Sequence, residues 1–125
     1  MRYWDKLAEF ERDGYEIIVD KSWEDCAIRD LFDDSCCDIK DLERKVNSGE
    51  LDWFMLRVRV LVEGLELADQ LVGGCLYAEP KEVLTDGLAE DLISQAMDEA
   101  KVQVYRLSRK FTELSDAVDA EGVTQ

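Results

Sequence analysis

The chain has 125 residues and a mass of 14.4 kDa, and 46% of its residues are hydrophobic, with one proline and seven glycines. This size and composition predict one globular domain with its own core, and they exclude a disordered chain or a collagen-like repeat. The 30 acidic residues outnumber the 15 basic ones, histidine is absent, and the formal net charge is −15. Such a charge argues against direct binding to nucleic acid or to an anionic membrane, because phosphates would repel the protein.

The N-terminal third predicts a helix, a strand and a second helix. Apolar side chains recur at helical spacing over residues 3–13, and Gly14 is suited to end that helix. Residues 15–19 alternate between apolar and polar side chains, which predicts a short strand. Ser22 is followed by acidic residues, the pattern of a helix N-cap, and predicts a second helix that continues to residue 32.

A third short helix and the clearest strand occupy the middle of the chain. Asp38 is suited to cap a helix that ends at Gly49. In residues 53–62 every second residue is apolar and the other set carries both arginines, which predicts a strand with one buried face. The residues of that face are Phe54, Leu56, Val58, Val60 and Val62. The opposite face carries Arg57 and Arg59, whose guanidinium groups are suited to bidentate binding of a partner's carboxylates.

Glycine turns and a long helix complete the pattern. Turns at Gly64 and at Gly73-Gly74 predict an antiparallel meander. A long helix over residues 88–114 follows, with bases at its C-terminal end, where the helix dipole favours positive charge. Its apolar stripe is predicted to face the core and consists of Leu88, Leu92, Ile93, Ala96, Met97, Ala100, Val104, Leu107, Phe111 and Leu114.

These elements predict an α+β fold, in which a three- to four-stranded antiparallel sheet is packed by a long C-terminal helix and by two or three short N-terminal helices. Residues 1–115 are expected to form a single domain, and residues 116–125 a polar tail that frays. The N-terminus lacks the apolar region of a signal peptide, and no stretch approaches the ~20 apolar residues that cross a bilayer. We therefore expect a cytoplasmic protein.

The residue types that catalysis needs are sparse. Because histidine is absent, the commonest general base and most transition-metal sites are excluded, and the chain contains no phosphate-binding glycine motif. An aspartate-rich run at 30–43 lacks the residue order and the turn glycine of a calcium loop. We predict a protein that is not an enzyme and that has no cofactor or metal. A small enzyme would need a pocket with paired carboxylates or an activated thiolate such as that of Cys36.

The cysteines do not form a recognisable framework. Their positions are Cys26, Cys36, Cys37 and Cys75. These spacings match no zinc motif, and two adjacent cysteines rarely ligate one metal. We expect reduced and mostly buried thiols, as in a cytosolic protein.

The charges are unevenly distributed along the chain. Spread evenly, they would give the surface about a quarter of the charge density of duplex DNA, so imitation of nucleic acid requires clustering. Residues 63–99 contain ten acids and one base, whereas residues 100–112 contain four bases and no acid. The predicted partner-binding residues in the acidic block are Glu63, Glu66, Asp69, Glu82, Asp86, Glu90, Asp91, Asp98 and Glu99. A second predicted group consists of Asp30, Asp33, Asp34 and Asp38.

A small, histidine-free and strongly acidic chain with an α+β pattern resembles the phage-encoded inhibitors of bacterial defence, the anti-restriction and anti-CRISPR proteins, several of which imitate DNA. The resemblance concerns size and composition over the whole chain and rests on no motif, so it assigns no role to an individual residue. It implies a protein that acts by binding another protein.

We therefore expect a non-enzymatic inhibitor from a phage or mobile element. It would bind the basic nucleic-acid-binding surface of a host defence protein or ribonucleoprotein complex and block access of nucleic acid. The alternative is a structural or interaction module that homodimerises, or docks on a partner, through an apolar surface. Exposure of Trp4, Trp23 or Trp53 would favour that alternative. The acidity would otherwise serve only to keep a small protein soluble.

Overall fold

The structure is a computed structural model that describes residues 2–33, 35 and 38–122. Its elements in chain order are the strands β1 Asp5–Arg12 and β2 Tyr15–Trp23, the helices α1 Ile28–Leu31 and α2 Ile39–Ser48, the strands β3 Asp52–Val62 and β4 Leu65–Tyr77, a 3-10 helix Pro80–Leu84 and the helix α3 Leu88–Gly122. The strands form one antiparallel sheet in the order β1-β2-β3-β4, and α3 packs against one face of it. The predicted α+β fold class is confirmed.

The first element is a strand, and the helix predicted over residues 3–13 is wrong. The pairing of β1 with β2 shifts register just before Ala8, so that Leu7, Ala8 and Phe10 all pack against the core. This bulge breaks the alternation that marks a strand and leaves apolar residues at a spacing that resembles a helix. Asp13 and Gly14 have φ angles of 54° and 85°, the left-handed conformation of a two-residue hairpin turn.

Ser22 lies inside β2, so its predicted role as a helix N-cap is wrong. Its buried hydroxyl donates a hydrogen bond of 2.6 Å to the carbonyl of Tyr3 and holds the N-terminal segment on the sheet. The helix predicted after it is reduced to the single turn α1, in which no side chain caps the N-terminus. Asp38 caps α2 as predicted, because its carboxylate accepts a hydrogen bond of 3.2 Å from the amide of Asp41.

Strand β4 passes through Gly73-Gly74, so the turn predicted there is wrong. Gly74 has a φ of +70° and lies where the pairing of β3 with β4 shifts register. Its amide donates a hydrogen bond of 2.7 Å to the carboxylate of Glu24, and a Cβ at Gly73 would lie 2.6 Å from that carboxylate. The glycine pair therefore forms a bulge that admits an acidic side chain. The turn at Gly64 is confirmed.

The core lies between α3 and the sheet. Phe54, Leu56, Val58 and Val60 are buried as predicted, and Val62 is half-buried. The buried residues of α3 recur every three or four positions and are Ala89, Leu92, Ile93, Ala96, Met97 and Ala100. Burying each of the larger side chains contributes about 1.5–3 kcal/mol.

Only the first third of α3 is buried. No described residue of the helix beyond Ala100 is buried, although the helix continues to Gly122. The predicted stripe therefore faces the core only as far as Ala100. The helix also includes residues 116–122 of the predicted tail, whose fraying stays a prediction.

Candidate functional site

The face of the sheet opposite α3 carries a row of acidic side chains at the end where both hairpins turn. Strand pairing aligns Glu11 with Glu16, Glu16 with Leu61, and Leu61 with Glu66, which gives one position on each of the four strands. Because neighbouring strands are ~4.8 Å apart, this row spans roughly 14 Å. Three carboxylates therefore lie across the full width of the sheet.

The two hairpin turns and the next position of β4 extend this row. Asp13 lies in the first turn, Glu63 lies in the second, and Asp69 pairs with Arg59 one row further from the turns. All three side chains are exposed. We call the six residues the hairpin-end surface: Glu11, Asp13, Glu16, Glu63, Glu66 and Asp69.

Two bases that neighbour the hairpin-end surface are bound to other carboxylates: Arg12 precedes Asp13 in the chain, and Arg59, which pairs with Asp69 across the strands, contacts Asp20. Arg12 donates two hydrogen bonds, of 2.9 and 3.0 Å, to Glu90 on the α3 side of the sheet. This pairing raises the pKa of Arg12 and lowers that of Glu90. Lys6 pairs with Glu9. Among the described residues, none of the six carboxylates forms an ion pair, so the surface keeps its negative charge.

The arginines of β3 bind a carboxylate of this chain, Asp20, whereas the sequence predicted that they are suited to bind a partner's carboxylates. Asp20, 2% exposed, accepts hydrogen bonds of 2.8 and 2.7 Å from the Nε and a terminal nitrogen of Arg57. Arg59 adds a contact of 3.3 Å. The ring of Trp4 covers Arg57, with 3.9 Å from the guanidinium carbon to the ring centroid. Arg57 is therefore already engaged on both its edge and its face, which argues against its predicted role at a partner's carboxylates.

The remaining acids of the predicted block lie on the 3-10 helix, on α3 or between the two, on the other side of the sheet. They are Glu82, Asp86, Glu90, Asp91, Asp98 and Glu99, and all are exposed. Glu99 accepts a hydrogen bond of 3.0 Å from Gln70 of β4, while Glu90 binds β1, so this part of α3 crosses the strands from one edge of the sheet to the other. Glu90 and Glu99 are thus used to hold α3 on the sheet.

Asp86 also has a structural role. Its carboxylate accepts hydrogen bonds from the hydroxyl of Tyr77 and, at 3.0 Å, from the amide of Leu88 at the start of α3. The Tyr77 hydroxyl lowers the pKa of Asp86, while desolvation and the same contact raise the pKa of Tyr77 to about 12. The pair joins the end of β4 to the beginning of α3.

The second predicted acidic group lies at the opposite end of the sheet from the hairpin turns. Asp30 and Asp33 are exposed near α1, Asp38 caps α2, and Asp34 lies outside the described residues. These helices are joined to the sheet by Trp53, whose indole donates a hydrogen bond of 2.8 Å to the carbonyl of Cys26. The described members of this group therefore lie far along the strands from Glu63 and Glu66.

The predicted partner-binding residues are thus divided among three parts of the molecule. Of the predicted set, the hairpin-end surface contains Glu63, Glu66 and Asp69. Sequence reasoning missed Glu11, Asp13 and Glu16, because residues 3–13 resembled a helix. The Asp13-Gly14 dipeptide between two apolar segments was the available signal, since it favours a two-residue hairpin.

The part of α3 beyond Ala100 combines positive charge with exposed apolar side chains. It carries the four bases of residues 100–112, together with exposed Val102, Val104, Tyr105, Phe111 and Leu114. These bases lie in the middle of the helix and not at its C-terminal end as predicted, because the helix continues through an acidic segment to Gly122. Elsewhere, Trp23 is 50% exposed, while Trp4 and Trp53 are half-buried.

The described cysteines do not form an activated thiolate. Cys75 is buried, and desolvation raises its thiol pKa to about 11. Cys26 is exposed, and its pKa is raised by desolvation and by Glu24. Cys36 and Cys37 lie outside the described residues.

Three further observations bear on function. Among the residues that the structure describes, no group of three or more cysteine, aspartate and glutamate side chains could hold a metal ion. In the same part of the chain, no helix combines the length and the apolar character needed to cross a membrane. The sequence matches no family model and no curated protein, and no solved structure is significantly similar to the fold.

Proposed function

We propose that this protein is a non-enzymatic inhibitor, from a phage or mobile element, that acts in the bacterial cytoplasm. It binds the basic nucleic-acid-binding surface of a defence protein or ribonucleoprotein complex and excludes nucleic acid from it. The observation that carries the proposal is the hairpin-end surface, in which six carboxylates lie together without an ion pair among the described residues. The proposed contact is with this surface, whereas the predicted acids on α3 contribute only to long-range attraction.

The arrangement of Glu11 and Glu16 supports a binding role. These two carboxylates are directly opposite each other on neighbouring strands. Like charges in such a pair destabilise a sheet, by a few tenths of a kcal/mol up to about 1 kcal/mol. The row therefore lowers the stability of the free protein, and a basic partner would remove that repulsion on binding.

The proposed mechanism is electrostatic and steric. Carboxylates spread across ~14 Å of sheet accept hydrogen bonds from the lysine and arginine side chains that otherwise hold phosphates. The net charge of −15 attracts the basic surface of the partner over a distance, and this attraction speeds association at low ionic strength. Once bound, the sheet and α3 occupy the space that nucleic acid needs.

The test uses two variants with the same change in net charge. The first neutralises the hairpin-end surface with Glu11→Gln, Glu16→Gln, Glu63→Gln and Glu66→Gln. The matched control neutralises acids on other surfaces with Asp30→Asn, Glu82→Gln, Asp91→Asn and Asp98→Asn. Each immobilised protein is used to capture binding proteins from bacterial lysate, with elution by duplex DNA.

We expect the wild type and the control to retain a nuclease or guide-RNA complex that DNA displaces, and the first variant to lose it. An equal loss of binding in both variants would show that overall charge, not this surface, is responsible. Full binding by both variants would show that the hairpin-end surface is not the contact. Retention that DNA cannot reverse would contradict competition with nucleic acid.

A second candidate function is an interaction module that acts through an apolar surface. The observation that favours it is the exposure of Phe111 and Leu114, at 62% and 48%, on the part of α3 beyond the sheet.

A further inference from the structure

Strand β4 is an edge of the sheet, and one side of its backbone has no neighbouring strand among the residues that the structure describes. In that part of the chain it pairs with β3 only. Its regular part, residues 68–72, lies between two shifts of register. An edge strand presents a row of N–H and C=O groups with which a segment of another chain can pair. The backbone of β4 therefore offers a place for a fifth strand.

The two edges of the sheet differ in charge. The opposite edge, β1, contains the bases Lys6 and Arg12 beside its acids. Strand β4 contains Glu66 and Asp69 and no base, and neither carboxylate forms an ion pair among the described residues. Both belong to the hairpin-end surface, on the face opposite α3. On this face, the β4 edge is suited to a basic segment.

On the other face, α3 continues past β4. Glu99 accepts a hydrogen bond of 3.0 Å from Gln70, which marks where the helix crosses this edge strand. The buried row of the helix ends at Ala100, and the next member of the row, Val104, is 37% exposed. Val104 lies about 6 Å further along the helix axis than Ala100, and a fifth strand would lie ~4.8 Å beyond β4. The helix therefore places an apolar side chain over the position of a fifth strand.

We propose that β4 pairs with an extended segment of a partner protein in which basic and apolar residues alternate. Because alternate side chains of a strand point to opposite faces, the basic ones lie beside Glu66 and Asp69 and the apolar ones lie beneath Val104. Main-chain hydrogen bonds supply affinity, and the alternating side chains select the sequence. The inference rests on the proposed function, since the segment belongs to the basic partner, and it specifies the edge at which that partner binds.

A second copy of the protein fits this edge less well than a basic segment. An antiparallel pair of β4 strands related by a two-fold axis would bring Glu66 and Asp69 of both chains to one face, where like charges are destabilising. Sedimentation velocity at micromolar concentration should therefore give 14.4 kDa for the free protein. Twice that mass, lowered by a competing basic peptide, would show that a second copy occupies the edge and would overturn the proposal.

The probe is a synthetic peptide of alternating lysine and valine residues, with blocked ends and the length of residues 65–72. Fluorescence anisotropy of the labelled peptide should give a dissociation constant on the order of 100 µM. Hydrogen exchange should slow in the bound protein at amides of residues 68–72 that exchange rapidly in the free protein. Absence of saturable binding at millimolar concentration, or slowed exchange at β1 instead of β4, would contradict the proposal.

Methylation of the peptide backbone separates strand pairing from attraction between side chains. In an antiparallel strand the amides that point to one edge belong to alternate residues, so those that face β4 are all lysine or all valine amides. Two further peptides carry N-methyl groups on one set or the other. One of them should bind more than ~10-fold more weakly, because its donors are lost, and the other should bind as the unmodified peptide does. Unchanged binding by both would show that no strand is added.

Protein variants with matched controls test each face of the added strand. Glu66→Gln/Asp69→Asn should weaken peptide binding by ~10-fold, whereas Glu11→Gln/Asp13→Asn, at the β1 edge, makes the same change in net charge and should have little effect. Equal weakening by both pairs would show that overall charge, rather than the β4 edge, binds the peptide.

The helix side is tested by two valines. Val104→Asn should weaken binding by about 5-fold, because the valines of the peptide lose an apolar neighbour. Val102, 56% exposed, lies on the other side of the helix, and Val102→Asn should bind as the wild type does. Equal affinities of the two variants would overturn the placement of the strand beneath α3. Far-UV circular dichroism verifies that each variant is folded.

Failure of this inference and failure of the proposed function give different results. Capture of a DNA-displaceable nuclease or guide-RNA complex from lysate, without binding of the peptide at β4, would reject the added strand alone. Binding of the peptide at β4, without capture of such a complex, would reject the inhibitor function and leave β4 as a docking edge for basic segments.

Discussion

The face of the sheet under α3 is apolar across its strands, whereas the opposite face carries a charged cluster at its centre and carboxylates at its hairpin end. On the first face, Phe54 and Ile93 lose nearly all contact with water. On the second face, Asp20 is equally buried but is held by Arg57 and Arg59, and the ring of Trp4 covers Arg57. The comparison shows that α3 supplies stability on one side, which leaves the other side able to present charge that stability does not require.

The largest expected effect comes from the apolar face. Ile93→Ala removes a side chain that is 2% exposed between α3 and the sheet. Lost burial and the remaining cavity should lower the free energy of unfolding by about 3–4 kcal/mol. Urea denaturation followed by circular dichroism measures this loss. A loss below about 1 kcal/mol would show that α3 is not what stabilises the sheet.

The charged cluster should have the next largest effect. Asp20→Asn leaves Arg57 and Arg59 without the carboxylate that compensates them, and the Nε of Arg59 is already buried without a partner among the described residues. Because both arginine side chains are partly exposed, at 19% and 26%, we expect a loss of about 2–3 kcal/mol rather than more. The same denaturation experiment gives the value, and an unchanged stability would contradict the cluster's structural role.

Asp86 has a structural role because its carboxylate accepts hydrogen bonds from Tyr77 and from the amide of Leu88. Tyr77→Phe removes the hydroxyl that Asp86 accepts, and should cost about 1 kcal/mol while raising the pKa of Asp86 toward its usual value. The folded pKa of Tyr77 is about 12, above its ordinary value of 10. Its contribution is therefore complete below pH 10 and is lost as pH rises toward 12.

The lowered pKa of Asp86 has the opposite sign. Its contribution is present above its ordinary pKa of 3.8 and is lost as the pH falls through the lower folded value. Carboxyl NMR titration of Asp86 in the wild type and in Tyr77→Phe compares the two pKa values directly. Identical values would show that the hydroxyl does not bind this carboxylate.

The smallest expected effect is a gain. Glu16→Gln removes the repulsion between Glu16 and Glu11 and should stabilise the fold by about 0.5 kcal/mol. The matched substitution Glu82→Gln removes an exposed carboxylate of the 3-10 helix. It makes the net charge less negative by the same amount and should leave stability nearly unchanged. Equal effects of the two substitutions on the midpoint of thermal unfolding would contradict a local repulsion.

The sequence predicts the elements in which one periodicity continues without interruption. Burial alternates along strand β3 from Phe54 to Val60, and the start of α3 follows a regular apolar stripe, so both elements were predicted correctly. The bulges before Ala8 and at Gly74 each broke a local pattern, and the strand β1 and the full length of β4 were missed for that reason. Local periodicity does not encode a bulge, since it depends on the neighbouring strand.

The candidate site was harder to predict than the fold. Block charges grouped Glu63, Glu66 and Asp69, which lie on one surface, with acids on α3 that lie across the sheet. Glu16 and Glu66 are fifty residues apart and share a row only because strand register aligns both with Leu61. Composition reports how much charge the chain has, whereas strand pairing decides which charges are neighbours.

The dependence of binding on ionic strength tests the central claim most directly. With the protein captured from lysate as the probe, the dissociation constant is measured by titration calorimetry from low to high salt for the wild type and for the variant neutralised at the hairpin-end surface. We predict that the wild type binds more weakly as salt rises and that the variant binds weakly with a shallower salt dependence. A wild-type affinity that does not change with salt would contradict the account.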